Sequence, residues 1–385
     1  MIAAPTVRTI YKKKQRNVLD LFSVEGEGGY IWTNFTFMFK SSAFFNNNIL
    51  SNVRGVIAPS RTIKSFNLGG ETYNYLDNVL RVSLGNNNTC VMYRDGTVDI
   101  SKKTYNFPYL STIMYDIRDT FTPSSYAGGG GQYQQMLLLD NGDLVVVNTY
   151  TQTNSVLLSD VKEFLTKNQA HRSDAIVGMK NGDVYHVWVG PTPEGAPYYD
   201  GNGTTTGVQK INGLNHNDLL FCTIGDPPAA ATFCKKSDPK NIYRFIKGYG
   251  TNFKITGFNT TPIASMELTD PTEYYVDGMS QEFNSLYLTN KKFIFKSTTN
   301  GSGYYLNSYM ASDWVYGWTR SFEGETPKIF AKKIATPTAY SMIVEDAFGK
   351  FWLCDASNYA LVKPVSYTFF DTLKTYLEPI RAKIS

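Results

Sequence analysis

Histidine is the scarcest chemically useful residue in this chain, with three among 385 residues. His186 lies in the strand-like run Val184-Tyr-His-Val-Trp188, and His171 and His216 lie in polar, loop-like segments. None has a second His or Cys at the spacing of metal ligands. The sequence also lacks a Gly-x-Ser-x-Gly elbow, a phosphate-binding Gly-Lys-Ser loop and a dinucleotide fingerprint. Acid pairs such as Glu25 with Glu27, or Asp140 with Asp143, are what strands and turns place routinely rather than a glycosidase pair. Asp200-Gly-Asn-Gly-Thr204 is oxygen-rich, but it lacks the spaced carboxylates and closing Glu of a calcium loop. The reading is a protein that is not an enzyme, with no catalytic residues, no metal and no cofactor.

Charge of one sign is missing too. A formal net charge of +4 on 43.2 kDa is far from the concentrated basic face of a nucleic-acid binder, so nucleic acid is not expected as a partner. No run is long and apolar enough for a signal peptide or a membrane span, which implies synthesis and folding in a cytoplasm and no membrane insertion. The four cysteines, Cys90, Cys222, Cys234 and Cys354, each sit in an apolar run and read as small packed hydrophobes. Cys222 and Cys234 flank an expected turn at 225–228 and could face each other, but such a compartment argues against a disulfide.

Aromatics are plentiful, at 15% against 18% charged residues, a balance that suits half-buried sheet surfaces and excludes disorder. A repeated unit then stands out: an apolar run, a tight turn and a second apolar run. It is clearest over 89–100, 135–147 and 175–188, where Asp95-Gly96, Asn141-Gly142 and Asn181-Gly182 supply the strongest short-range hairpin signal. These residues accept the positive φ of a type I′ turn. Weaker copies occupy 232–245, 284–295 and 340–354, and the weakest runs from Trp32 to Leu50 with its turn near Ser42. Successive turns near 42, 96, 142, 182, 241, 290 and 349 are about 51 residues apart on average, close to the repeat length of kelch-type propellers. Segments between hairpins, such as Asn78–Leu84 and Phe330–Ala335, offer one further strand each.

The expected fold is therefore all-β: a single β-propeller of about seven blades, with residues 1–24 as an N-terminal arm and 25–385 as the propeller domain. The run Val18–Val24 is the expected closing strand, meeting the sheet around Tyr340–Cys354. Minor features are flexible loops at 123–131 and 190–207, and a short helix over Asp160–Lys167 opened by an Asp-x-x-Glu pattern. Thr368–Leu377 fits either helix or strand.

The stretch from Asn78 to Val98 resembles a repeat of the regulator-of-chromosome-condensation family of seven-bladed propellers, and Ala175–Trp188 resembles the end of another. The likeness covers about half the chain, and several repeats lack the family's glycines. It implies the fold and not the family's nucleotide-exchange activity. In overall style the chain also looks like virion proteins of tailed bacteriophages, whose tails, baseplates and nozzles can include propellers. The leading functional expectation is thus a structural subunit of a large assembly, most simply a phage virion protein acting through protein–protein contacts. The alternatives are a lectin-like propeller that binds a host-surface glycan or receptor, and an adaptor of the chromosome-condensation-regulator type. Expected contact residues are the basic cluster Lys12, Lys13, Lys14 and Arg16 and the aromatics Tyr198, Tyr199, Tyr304, Tyr305, Trp314 and Trp318.

Overall fold

A computed structural model describes residues 30–32, 36–40, 57–68, 71–84, 89–95, 97–100, 102–105, 117–121, 134–148, 153–166, 174–189, 206–224, 231–247, 254–263, 268, 270–281, 284–291, 294–299, 306–307, 331–335, 341–346, 351–355 and 362–364. Among them the strands form seven antiparallel sheets of four. Sheet 1 holds β1 (Tyr30–Trp32), β2 (Thr36–Lys40), β3 (Lys64–Leu68) and β4 (Glu71–Asp77). Sheet 2 holds β5 (Val79–Leu84), β6 (Thr89–Tyr93), β7 (Val98–Ile100) and β8 (Lys103–Tyr105), and sheet 3 holds β9 (Ile117–Phe121), β10 (Gln134–Leu139), β11 (Leu144–Asn148) and β12 (Thr153–Leu158). Sheet 4 follows with β13 (Val161–Phe164), β14 (Asp174–Met179), β15 (Val184–Trp188) and β16 (Gly207–Lys210), and sheet 5 with β17 (Leu219–Thr223), β18 (Thr232–Lys235), β19 (Ile242–Lys247) and β20 (Ile255–Phe258). Sheet 6 comprises β21 (Tyr275–Gln281), β22 (Asn284–Thr289), β23 (Ile294–Thr299) and β24 (Leu306–Asn307); sheet 7 comprises β25 (Ala331–Ala335), β26 (Ser341–Asp346), β27 (Phe351–Asp355) and β28 (Val362–Pro364).

The three clearest sequence hairpins are β6–β7, β10–β11 and β14–β15, each in the middle of a different sheet. Their side chains explain why these runs are continuously apolar rather than alternating. On β10 and β11, Leu137, Leu139, Val145 and Val147 pack with Cys90, Met92, Val98 and Ile100 of sheet 2. Their neighbours Met136, Leu138, Leu144 and Val146 pack with Ala175, Val177, Met179 and Val187 of sheet 4. Because successive side chains point to opposite faces, a strand buried on both faces needs an apolar residue at every position. Sheets 4 and 5 meet in the same way around Ile176, Val184, Phe233 and Phe245, and sheets 5 and 6 around Phe221, Cys234, Ile242, Tyr275 and Tyr287. At the fourth strand this burial ends: β12 is exposed over its first four residues.

Two devices recur from sheet to sheet. In each of sheets 2 to 7 the first strand carries a bulge opposite the end of the second, as where Val79 pairs Tyr93 but Arg81 pairs Met92, or Val161 pairs Met179 but Glu163 pairs Gly178. Such a bulge sharpens the local twist. The second device is the turn. The Leu139 N–H donates to the Asp143 carbonyl (2.9 Å) and the Gly142 N–H to the Leu139 carbonyl (3.0 Å), and Gly142 has φ +99°; Met179, Gly182 (φ +97°) and Asp183 repeat the pattern. This is a type I turn followed by a left-handed glycine, one residue longer than the type I′ turn expected from Asn-Gly. Only the glycine takes positive φ. The Asn141 and Asn181 side chains instead accept the N–H two residues on, at 2.9 Å each, the role Asp95 plays for Thr97.

Three further expectations need correction. In sheet 1, β2 does not form a hairpin with the run that follows Ser42 but pairs with β4, and the tight hairpin of the sheet is β3–β4, with Gly69 and Gly70 between them in the sequence. The helix expected over Asp160–Lys167 is strand β13, paired with β14. A capping pattern cannot hold so short a helix against a sheet edge, since the first helical turn is costly to nucleate. Cys222 and Cys234 do not face each other, because Cys222 lies opposite Phe233 and Cys234 opposite Phe221. One thiol points to sheet 4 and the other to sheet 6, and both are free. The arm and closing strand (1–24), the loops 123–131 and 190–205 and the segment 368–377 lie outside the described residues.

If both faces are core, adjacent leucines on β10 should cost alike. Leu137→Ala, which empties the layer toward sheet 2, and Leu138→Ala, which empties the layer toward sheet 4, are each expected to lower unfolding free energy by about 2–5 kcal/mol. Val156→Ala on the exposed β12 should change it by less than about 0.5 kcal/mol. Urea titrations of the three variants measure this, and a small loss for either leucine would place its face in solvent.

Candidate protein-interaction surface

The strands end on two surfaces. One carries the second-to-third-strand hairpins and the links from each sheet to the next, and its backbone is stitched in a repeating way. The carbonyl just before the first strand accepts the N–H just after the second: Asn78 from Arg94 (3.0 Å), Asp160 from Lys180 (2.8 Å), Asp218 from Lys236 (2.6 Å) and Tyr274 from Asn290 (2.9 Å). The hairpins of sheets 3, 4 and 5 also hold the start of the next sheet. The Gly142 carbonyl accepts the Val161 N–H (2.8 Å), the Gly182 carbonyl accepts that of His216 (2.8 Å) and the Pro239 carbonyl that of Tyr275 (2.7 Å).

Lysines and acids decorate this frame. Lys180 Nζ donates to the Asn141 carbonyl in sheet 3's turn (2.8 Å) and lies 3.3 Å from Asp160. Lys236 Nζ donates to the Asn217 carbonyl (2.8 Å), Lys210 pairs with Asp183 (2.7 Å), and Lys291 pairs with Asp270. These groups are partly or wholly exposed, so each pair contributes little to stability. Their effect is to fix a surface of alternating sign on a stiff backbone. At its sheet 2 end, Arg61 lies over the Tyr93 ring (3.8 Å) and beside the fully buried Asp99 (3.4 Å), whose carboxylate also accepts the Tyr93 and Thr104 hydroxyls (2.8 and 2.7 Å). Burial, then the Asp99 charge, pushes the Tyr93 hydroxyl well above its ordinary value.

The acid pair Asp140 and Asp143 belongs to one of these turns. Asp143 accepts from Asn141 (2.7 Å) and from Ser159 (2.7 Å), which is turn-fixing work. His216 is buried among the links, with Nδ1 3.5 Å from Glu163 Oε1, and its ring fills the space beside Gly178 that a Cβ would need.

At the opposite ends of the strands lie buried polar groups, of which sequence reasoning named His186 and missed Asp174, Thr223 and Thr232. His186 Nε2 is 2.7 Å from Asp174 Oδ2, and its Nδ1 accepts the Ile255 N–H of sheet 5 at 3.2 Å. An Nδ1 that accepts leaves the proton on Nε2, which donates to Asp174. Nδ1 is thus spent on joining sheet 4 to sheet 5 and Nε2 on Asp174 within sheet 4, so the pair is not poised as a base. One seam further on, the Thr223 and Thr232 hydroxyls share a bond of 2.7 Å, and Thr232 shares another of 2.7 Å with the Tyr287 hydroxyl of sheet 6. The only sequence signal for Asp99 and Asp174 is a carboxylate set in or beside an otherwise apolar run.

Thiol chemistry is suppressed, since burial, then the neighbouring Asp238, pushes the Cys234 thiol up to about 12, and burial pushes Cys222 higher still. Among the described residues no three His, Cys, Asp or Glu side chains group as a metal site, and no helix is long and apolar enough to cross a membrane. The expected contact residues Lys12, Lys13, Lys14, Arg16, Tyr198, Tyr199, Tyr304, Tyr305, Trp314 and Trp318 lie outside the described residues, as does His171.

No protein-family model matches the sequence, and no curated protein matches it significantly. Solved structures do. Human WBSCR16 superposes with a TM-score of 0.52 at 10% identity, over 87% of this chain and 94% of that one. That likeness, added to four-stranded sheets stacked face to face in chain order, decides the architecture. The chain is a β-propeller. Yeast RCC1 (Prp20), solved bound to Kap60, is similar at a TM-score of 0.43 and 9% identity over 73% of this chain and 71% of its own. The Cps50 (Swd1) β-propeller domain of Myceliophteria thermophila scores 0.39 at 8% identity over 80% and 89%. At 10% identity the likeness to WBSCR16 shows the fold alone.

Titration of His216 tests the stitched surface of the propeller. Burial, followed by the Lys162 charge, lowers its pKa, against an opposing pull from Glu163, and Lys236 adds to the lowering. Unfolded, the ring takes a proton near pH 6.5, while the folded ring resists until lower pH, so the unfolded state binds more protons in that window. Stability contributed by neutral His216 is therefore full above about pH 6.5 and lost as pH falls below it. Melting curves from about pH 7.5 to 5 should fall more steeply for the parent than for His216→Gln; parallel curves would mean that the imidazole titrates normally.

Proposed function

We propose that this chain is a non-enzymatic, seven-bladed closed propeller that acts as a protein-binding adaptor, each four-stranded sheet being one blade. The observation that carries the reading is the hairpin-bearing surface. It combines turns from consecutive blades, hydrogen bonds that lock each to the next, and exposed lysines and acids that alternate over it. Because the blade faces are spent on one another, recognition falls to strand ends and outer strands. A stiff surface of mixed charge there costs a partner little ordering entropy and reads charge complementarity.

The adaptor reading fits the repeat resemblance of Asn78–Val98 and the propeller fold together. The narrower expectation of a phage tail, baseplate or nozzle subunit rests on compositional style alone, and the fold adds nothing to it or to a glycan ligand.

Amine-reactive cross-linking of the native complex, followed by mass spectrometry, tests the proposal. Cross-links to a stoichiometric protein partner are expected through Lys162, Lys180, Lys210, Lys236 and Lys240, and the association should weaken as salt rises. A complex whose cross-links avoid these lysines, or a chain that turns over a substrate in a broad hydrolase screen, would contradict it.

A further inference from the structure

The third strands of sheets 4 and 5 carry side chains at matching positions with opposite fates. On β15, Val187 packs back toward sheet 3 and its neighbour His186 points forward, where Ile255 of sheet 5 and Asp174 use both its nitrogens. On β19, Phe245 packs back toward sheet 4 and its neighbour Arg244 occupies the equivalent forward place, on the seam with sheet 6. His186 is satisfied. Arg244 is not: its Nε is buried without a hydrogen-bond partner, and no ion pair among the described residues engages the guanidinium.

Among the described residues no acid acts on it. Arg244 lies opposite Thr232 in the strand pair, on the same face, within electrostatic reach of Tyr287. Thr232, Tyr287 and Thr223 are joined to one another by hydroxyl bonds. Burial lowers the pKa of Arg244, yet a guanidinium does not give up its proton at any ordinary pH. The charge is therefore held half out of water with no compensation, a state that costs stability and is corrected by an opposite charge. The side chain remains partly open to solvent, so such a charge can arrive from outside. Lys254, on the seam before, already lies over the Trp188 ring at 5.2 Å and so adds no second free cation to the place.

We infer that Arg244, at the seam of sheets 5 and 6, is a recognition point for a carboxylate of an acidic peptide segment in a partner protein. A guanidinium fork fits carboxylate and phosphate alike, but the single charge of one guanidinium balances one carboxylate and leaves a doubly charged phosphate half uncompensated. The inference rests on the protein-binding reading only in taking the carboxylate from a protein. It adds a contact on the strand ends opposite the hairpin surface.

Binding of a short, end-blocked polyglutamate peptide to the full chain, measured by calorimetry, tests it without the native partner, so failure here and failure of the adaptor reading are separate results. The parent should bind polyglutamate and not polyglutamine, and inorganic phosphate at equal concentration should not displace the peptide. Arg244→Gln should weaken binding about tenfold or more, and Lys254→Gln, on the seam before, should leave it unchanged. The Tm of Arg244→Gln should equal or exceed the parent's, because an uncompensated charge has been removed. Equal affinity for parent and Arg244→Gln, full displacement by phosphate, or a Tm loss of several degrees in Arg244→Gln would overturn the assignment. The last result would make Arg244 a packing residue.

Discussion

The packing of one sheet's face against the next carries this structure. A four-stranded sheet alone exposes two apolar faces and cannot offset the entropy of ordering its chain. Here Leu137 and Leu138, adjacent on β10, serve different layers, one against sheet 2 and one against sheet 4. The central strands of sheets 3, 4 and 5 divide their side chains in this way, so each of these layers belongs to two sheets. The polar groups follow the same plan. His186 reaches from sheet 4 to Ile255, and Thr232 reaches from sheet 5 to Tyr287.

That constraint also determines where function can reside. With faces consumed, the fold presents strand ends. At one end the backbone is locked from turn to turn and the charges alternate; at the other, buried polar groups join seams, and one of them, Arg244, remains uncompensated. A scaffold with rigid ends and a spare charge is suited to holding other chains, which is the adaptor role proposed above.

The parts of the fold legible in the sequence were those fixed by local chemistry. Asp95, Asn141 and Asn181 each stand two residues before a backbone N–H that their side chains accept, and apolar runs flank each turn, so three hairpins could be placed from the residues alone. The strand Val161–Phe164 was hidden because its pairing with β14 and its bulge are set by the sheet, while its four residues read locally as a helix start. Sheet 1 was misread because β2 finds its partner in β4 across an intervening hairpin, a non-local choice that no turn signal marks. The candidate site was less legible still. Whether His186 is spent and Arg244 is not depends on what the next sheet brings to the seam. In the sequence, Arg244 is simply a charge in the run Ile242-Tyr-Arg-Phe-Ile246.

The proposed function takes the seven sheets as a ring in which the last returns to the first. Pulsed electron–electron distances between spin labels test it most directly, with native cysteines replaced and labels placed at Asn67 in sheet 1 with Asn181 in sheet 4, and separately at Asn67 with Glu345 in sheet 7. In a closed ring, sheet 7 is a neighbour of sheet 1 and sheet 4 stands across the ring, so the Asn67–Glu345 distance should be the shorter of the two. An Asn67–Glu345 distance longer than Asn67–Asn181 would mean an open stack of sheets and would contradict the account.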